Sequence, residues 1–323
     1  MKAMLCKSLG HPSNLVLEEI NSPIPKSKEV LISVKACSVN YPDTLIVQGL
    51  YQFKPDLPFA PGSDVAGIVK AVGEEVKHFK VGDKVFGVVQ HGGFAEEVVV
   101  PQNRVFNMLP GMDFKTAASF MMAYATSYHA LKDRAKLKAG ETILILGASG
   151  GVGLAAVELA KKMGATVIAA ASTDEKLALC KKYGADLTIN YSKEDLKKQA
   201  KALTNGKGVD VVYDPVGGDY TEAALRATAW QGRFLIVGFP AGIAKIPMNL
   251  PLLKGCSIMG VFWSGFVSNQ PKENMKNIME LVQMYAKGEI KPHIDKVYAL
   301  ADAKQALIDM MERKTMGKII IEP

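Results

Sequence analysis

Glu141-Thr142-Ile143-Leu144-Ile145-Leu146-Gly147-Ala148-Ser149-Gly150-Gly151-Val152-Gly153 is the stretch that decides the fold. Residues 142–146 form a short apolar strand, the glycines make a turn, and 154–163 is amphipathic at helical spacing. Strand, glycine turn and helix together make a dinucleotide cradle. Glycines let the backbone approach a pyrophosphate, while the N–H groups and positive dipole end of the helix face its charge. A second apolar strand, 166–170, follows the helix as a βαβ unit requires. Ala148 stands where the first glycine usually does, which loosens the pattern there and leaves the other two glycines intact. Ala148, Gly150, Gly151, Val152 and Gly153 are therefore the expected cofactor-binding turn.

An NAD-specific pocket places an acid about 20 residues past the glycines, at the end of the second strand, to hold the ribose 2′-hydroxyl. Counting 19 residues from Gly153 lands on Ser172, so no carboxylate repels a 2′-phosphate there. The nearby acids in Ser172-Thr173-Asp174-Glu175 read more simply as a capping box opening the helix 176–182 than as ribose ligands. Lys176, one turn into that helix, and Tyr191, at the end of the third strand, are placed to close on an adenosine phosphate. NADPH is preferred over NADH on these grounds.

A chain of 323 residues with 48% hydrophobic and 22% charged residues has room for two domains with ample core, and nothing in it suggests disorder. The longest apolar runs, 209–213 and 234–239, are strand length and too short to span a bilayer, so no membrane partner is expected. The first residues read as a strand without the apolar core of a secretory signal, which leads to the expectation of a cytoplasmic protein, organellar import being left open. Net charge is +7, from 39 basic and 32 acidic residues. The lysines are spread over helix faces such as 132–138 and 193–201, a pattern of solvated surfaces and attraction for an anionic cofactor that disfavours nucleic-acid binding. Cys6, Cys37, Cys180 and Cys256 are widely spaced with no C-x-x-C, which excludes a cysteine-rich zinc lobe and gives no disulfide framework.

Residues 1–109 are dense in strand patterns, at 30–36, 67–73 and 81–87. Prolines at 23, 25, 42, 55, 58, 61 and 101 suit a compact β-rich barrel and argue against helices there. From about 118 the pattern alternates: helix 118–132, strand 142–146, helix 154–163, strand 166–170, helix 176–182, strand 187–190, helix 193–203, strand 209–213, helix 220–230, strand 233–237 and strand 257–262. Six strands alternating with helices predict an α/β fold with one doubly wound parallel sheet. Helix 274–286 follows. The tail, strand 297–299, helix 301–311 and strand 318–321, reads as a return to the first domain. The expected domains are 1–118 with 266–323, and 119–265.

With these parts in order, the chain resembles the zinc-free quinone oxidoreductase branch of the medium-chain dehydrogenase/reductase superfamily. The likeness covers essentially the whole chain. It is carried by Val39-Asn40-Tyr41-Pro42-Asp43-Thr44 with Gly49-Leu50-Tyr51, Pro61-Gly62-Ser63-Asp64-Val65-Ala66-Gly67, Val81-Gly82-Asp83-Lys84-Val85 and Gly92-Gly93-Phe94-Ala95-Glu96. Thr126-Ser127-Tyr128-His129-Ala130-Leu131, the 148–153 turn and Arg313-Lys314-Thr315-Met316-Gly317-Lys318 complete it. The resemblance implies a GroES-like β-rich catalytic domain beside a six-stranded Rossmann sheet. Zinc alcohol dehydrogenases of the same superfamily would need a Cys where Asn40 stands, a His where Ser63 stands and a Cys near Met122. His78, His91, His129 and His293 have no partners at ligand spacing, so no metal site is expected. Without that Lewis acid, alcohol oxidation is disfavoured and hydride delivery to a quinone or enone remains.

By the resemblance, the substrate lies between the two domains, over the nicotinamide. Asn40, Tyr51 and Thr126 are then the catalytic candidates, polar groups to hydrogen-bond an acceptor oxygen that gains negative charge. An ordinary phenol pKa of ~10 makes Tyr51 a weak acid at neutral pH. Structural roles compete with each: Asn40 precedes a Tyr-Pro turn, Thr126 can cap or face the core, and Tyr51 can pack on Pro55. Val216, Gly217 and Gly238, after the fourth and fifth strands, are expected to border the nicotinamide ribose and carboxamide. Phe262 and Trp263 offer an aromatic wall beside the ring, with core packing the competing role for Phe262. Arg313 matches a family position that pairs with the 2′-phosphate. The leading function is NADPH-dependent quinone reduction. Reduction of activated C=C bonds, as in enoyl thioesters, alkenals or haloacrylates, is the alternative, and a non-catalytic NADPH-binding role, crystallin-like or RNA-binding, a second. A homodimer through the sixth strand, 257–262, is expected because an open apolar edge invites pairing.

Overall fold

In the computed structural model, which describes residues 1–323, the six strands read from the sequence form one all-parallel sheet. Its spatial order is Leu187–Asn190, Thr166–Ala171, Thr142–Ile145, Val209–Asp214, Thr228–Ile236 and Ser257–Gly260. In chain order this is 3-2-1-4-5-6, the doubly wound arrangement whose direction reverses beside the first strand, where such sheets bind dinucleotides. Ile143, Leu144 and Ile145 are all fully buried, because helices cover both faces of a parallel sheet and a continuous apolar run is needed to fill both. The cradle helix is Gly151–Lys162.

Two of the expected helices change in the structure. Residues 118–132 do not form one helix: the chain breaks near Ser119 into Phe114–Ala118 and Met121–Tyr128, the latter continuing as a π-helix over His129–Arg134. The helix expected at 220–230 ends at Ala227, and the chain turns directly into the strand Thr228–Ile236. Thr228 is extended and Gln231 takes a left-handed φ of 56°, so the end of that apparent helix is strand with an irregular register.

The chain divides into two units, Met1–Met122 with Pro292–Pro323 and Ala123–Lys291. The second unit thus reaches past the expected limit at 265 and takes in the helix Pro271–Ala286. That helix is pinned within it by side chains the sequence does not pair. Tyr128 donates to Glu280 at 2.6 Å, Asn277 to Asp133 at 2.7 Å, Lys132 to Asn277 at 2.9 Å, and Trp263 to Asn274 at 2.9 Å.

In the first unit the long strand Glu29–Val39 is central, pairing antiparallel with Asp64–Val72, Glu97–Pro101 and the C-terminal strand Lys318–Glu322. Lys84–Val88 and Val105–Asn107 extend one side and Ile294–Ala299 the other. Val30, Ile32, Phe94, Ile319 and Ile321 are fully buried in its core. Burying such side chains contributes roughly 1.5–3 kcal/mol each. The proline-rich front is not free of helix, contrary to the reading above. Tyr41–Val47 is helical because Pro42 sits in its first turn, where its missing N–H costs nothing, and the Asp43 carboxylate accepts the Asn40 N–H at 2.7 Å. No helix is long and apolar enough to cross a membrane.

Candidate active site

The cradle is built in the second unit. Gly150 caps the helix Gly151–Lys162, and a Cβ added there would meet only the Gly147 carbonyl, at 3.3 Å. A Cβ on Gly153 would instead lie 2.3 Å from that same oxygen. One glycine leaves its outer face open to an approaching group; the other exists so that helix and strand can touch. The first-turn N–H groups have no partner inside their own helix. An open glycine and free donors at a helix N-terminus fit a pyrophosphate.

Ser127 fixes this turn. Its hydroxyl donates to the Val152 carbonyl at 2.8 Å, and the fully buried Tyr213 hydroxyl, 3.0 Å away, donates to Ser127 in return. Neither residue was singled out in the sequence, although Ser127 lies in the motif that contains Thr126. Thr126 itself is half-buried on the helix Met121–Tyr128.

At the end of the second strand Ser172 is half-buried and no acid replaces it. Thr173, one residue later than expected, is the cap, accepting the Lys176 N–H at 3.3 Å. Asp174 is held by the Asn190 side chain and Lys193, both at 2.6 Å, so the nearest carboxylate is bound to its own surface. Lys176 is half-buried in the helix Asp174–Lys182, and the Tyr191 ring packs 4.5 Å from that of Tyr220. Arg313 belongs to the first unit, in a left-handed turn with φ 58°, where its charge acts on Tyr41.

Past the fourth strand, Asp214 organises the loop carrying Val216 and Gly217. Its buried carboxylate accepts both their N–H groups at 2.9 Å and the Thr221 hydroxyl at 2.7 Å. Gly217 has a φ of 73°, and a Cβ there would sit 2.5 Å from the Gly242 carbonyl, so no other residue fits. Gly238 is looser, its nearest neighbour 3.4 Å away. The Asp-Pro-Val-Gly-Gly run at 214–218 carried the signal for Asp214, since a carboxylate before a glycine turn is a ready acceptor for its N–H groups. Phe262 is 53% exposed and remains available as a wall. Trp263 is buried, its indole N–H directed to Asn274, so it anchors its own helix and does not offer a free ring face.

The first unit holds the other candidates. Asn40 is almost fully buried. Its Oδ1 accepts from Lys318 Nζ at 2.6 Å, while its amide nitrogen makes only long contacts, 3.3 Å to Ser38 Oγ and 3.4 Å to Asp64 Oδ2. Tyr51 is half-buried against the core, and burial together with the Asp43 charge raises its phenol above the ordinary value, making it a poorer acid still. Asp43, buried beside it, accepts the Asn40 and Gly62 N–H groups, yet burial pushes its carboxyl up to about 7. Of the positions where zinc relatives need ligands, Ser63 has a buried hydroxyl with no hydrogen-bond partner, and Met122 presents its backbone N–H to Asp64 at 3.2 Å. No group of three or more His, Cys, Asp or Glu is placed to hold a metal ion. His129 bonds Asp133 at 2.9 Å and stacks on Phe266, and His91 packs between Phe53 and Phe59.

Comparison with known proteins follows the same division. Residues 26–110 match the alcohol dehydrogenase GroES-like domain and 151–283 the zinc-binding dehydrogenase domain. The chain is 37% identical to quinone oxidoreductase-like protein 2 of Bos taurus, over 99% of this chain and 92% of that one. It is likewise 37% identical to quinone oxidoreductase of Sus scrofa, over 99% and 97%. The Escherichia coli quinone oxidoreductase, solved in complex with NADPH, is 30% identical and superposes with a TM-score of 0.93 over the full length of both chains. At 37% identity over 99% of its length to two quinone oxidoreductase relatives, the chain belongs to the quinone oxidoreductase family of the medium-chain dehydrogenase/reductase superfamily.

Proposed function

We propose that the protein reduces quinones with NADPH and needs no zinc. The observation that carries this reading is an open glycine cradle whose second strand ends in Ser172, with the nearest acid bound elsewhere. The turn at Ala148, Gly150, Gly151, Val152 and Gly153 would hold the pyrophosphate, Val216, Gly217 and Gly238 the nicotinamide ribose, and Ser172, Lys176, Tyr191 and Arg313 the 2′-phosphate. NADPH, when bound, supplies a hydride. With one proton the acceptor then becomes a hydroquinone and NADP⁺ is left.

The chain's own residues orient and stabilise. Asn40, Tyr51 and Thr126 donate hydrogen bonds to the acceptor oxygen as charge accumulates on it, Tyr51 being protonated at neutral pH as any ordinary phenol is and held more firmly so by its raised pKa. Residue types at Asn40, Ser63 and Met122 support independence from zinc, since a carboxamide, an alcohol and a thioether make a poor zinc set. Two copies pair through the strand Ser257–Gly260, the open edge of the sheet. Trp230, Leu252 and Leu253 nearby are 69%, 76% and 64% exposed, more apolar surface than a solitary edge tolerates. The four cysteines are buried free thiols, which suits a reducing, cytoplasmic setting.

The test is an acceptor panel of small quinones and enones, each with NADPH and NADH. Quinone turnover with NADPH preferred supports the proposal. Turnover confined to enones would move the reading to C=C reduction, and tight NADPH binding without any turnover would move it to a binding role.

A further inference from the structure

Lys318 carries an ammonium buried to 4% exposure in the first unit. The antiparallel register pairs Ile319 with Val39, which sets Lys318, at the start of its strand, opposite Asn40. Its Nζ donates to Asn40 Oδ1 at 2.6 Å and lies 4.0 Å from Asp64 Oδ2. Asp64 is itself 1% exposed; its Oδ2 accepts from Ser38, Asn40 and the Met122 N–H, while its Oδ1 has no partner.

We infer that Lys318 is a positioning residue for the reaction, its ammonium holding the Asn40 carboxamide in the one orientation that leaves the NH₂ edge for the acceptor oxygen. The inference rests on the proposed quinone reduction with Asn40 as a donor. A carboxamide has two edges of nearly equal size, so packing alone selects neither. An ammonium has three donors and no acceptor, and it therefore selects Oδ1. The NH₂ edge, by contrast, is weakly held: its protein contacts run from 3.3 to 3.5 Å. A cation on Oδ1 also draws electron density from the amide, which strengthens its N–H groups as donors. Burying a charged lysine is costly, and an apolar side chain at the head of this strand would cost less. Burial accordingly lowers the Lys318 pKa, and the nearby carboxylates Asp64 and Asp43 oppose that shift and favour the ammonium.

The test is a double-mutant cycle on Lys318→Met and Asn40→Ala with NADPH and a small quinone. If Lys318 acts through Asn40, Lys318→Met lowers kcat about 10- to 100-fold in the wild-type background and less than about 3-fold once Asn40 is alanine. The NADPH Kd, read by fluorescence, stays within about 2-fold, because the cradle is untouched. The Asn40 side-chain amide signal in NMR, identified by its loss in Asn40→Ala, shifts in Lys318→Met. Should that variant not fold, Lys318→Met is made in Asp64→Asn, which removes the carboxylate closest to the lost ammonium, and compared with Asp64→Asn alone. Equal fold-losses in both backgrounds, or an unmoved amide signal, would overturn the inference while quinone turnover by the wild type stands. Absence of that wild-type turnover would instead overturn the functional reading, and the role of Lys318 with it.

Discussion

Asp214 Oδ2 accepts the Thr221 hydroxyl at 2.7 Å while its other oxygen holds the Val216 and Gly217 N–H groups. One buried carboxylate therefore sets the loop after the fourth strand. Asp214→Ala leaves three donors without their acceptor, and unmet buried donors cost about 1–3 kcal/mol each where no other partner is found. We expect NADPH affinity to fall about 10- to 100-fold and the Tm to drop. Thr221→Val, which removes only one donor, should show a much smaller change in both. Unaltered NADPH binding in Asp214→Ala would separate this loop from the cofactor.

The two glycines of the cradle should fail in different ways. Gly153→Ala places a Cβ 2.3 Å from the Gly147 carbonyl and must push helix from strand, so it should lose stability by about 1–3 kcal/mol. Gly150→Ala meets only a 3.3 Å neighbour and should keep its Tm within a few degrees. Its methyl group projects from the turn, and NADPH affinity should drop about 10-fold or more. Thermal melts with NADPH titrations on both variants check this contrast, and a reversed pattern would refute it.

Burial pushes the Glu158 carboxyl up to about 7, against the Tyr124 hydroxyl at 2.5 Å and the Lys291 N–H at 3.1 Å, which favour the charged form. Between an unfolded value near 4.3 and about 7 the folded protein keeps a proton that the unfolded chain has released. Stability therefore falls as pH rises through that window and levels off above it. Asp43, also raised to about 7, acts in the same direction. Glu158→Gln should remove its share, gaining about 1–3 kcal/mol relative to wild type on going from about pH 4.5 to pH 8, with Asp43 preserving the rest of the slope. Parallel stability curves for the two proteins would count against a raised Glu158.

Much of the sheet was legible because its strands are apolar runs bounded by glycine and polar turns, as Leu187–Asn190 and Thr166–Ala171 illustrate. The helix Tyr41–Val47 was not, because Pro42 reads as a breaker until its place in the first turn is known. Trp263 looked like a wall because it follows the last strand, and only the fold reveals Asn274 beneath its indole. Lys318 opens the run Lys-Ile-Ile-Ile-Glu and reads as an exposed strand end. Its burial depends on a register that sets it opposite Asn40, 278 residues away in sequence, which no local pattern encodes. The cradle was visible early for the opposite reason: all its parts are local.

Arg313→Ala tests the 2′-phosphate assignment. Loss of a charge-assisted contact of roughly 1.5–3 kcal/mol should raise the NADPH KM about 10- to 100-fold and leave weak NADH activity nearly unchanged. Equal losses with both cofactors would assign Arg313 a folding role instead.

Hydrogen bonding without a metal should give graded losses on substitution. Tyr51→Phe and Asn40→Ala should each lower kcat/KM about 10- to 1000-fold, or roughly 1.4–4 kcal/mol of transition-state stabilisation. NADPH binding should hardly change in Tyr51→Phe. Steady-state kinetics at full quinone turnover in both variants would remove these residues from the reaction.

The most direct measurement is the rate of NADPH oxidation by a small quinone after exhaustive dialysis against a strong chelator, with zinc quantified in the same sample. The expected result is undiminished turnover at a zinc content far below one per chain. One zinc held per chain and lost together with activity would contradict zinc-independent quinone reduction, and so would tight NADPH binding with no quinone turnover at all.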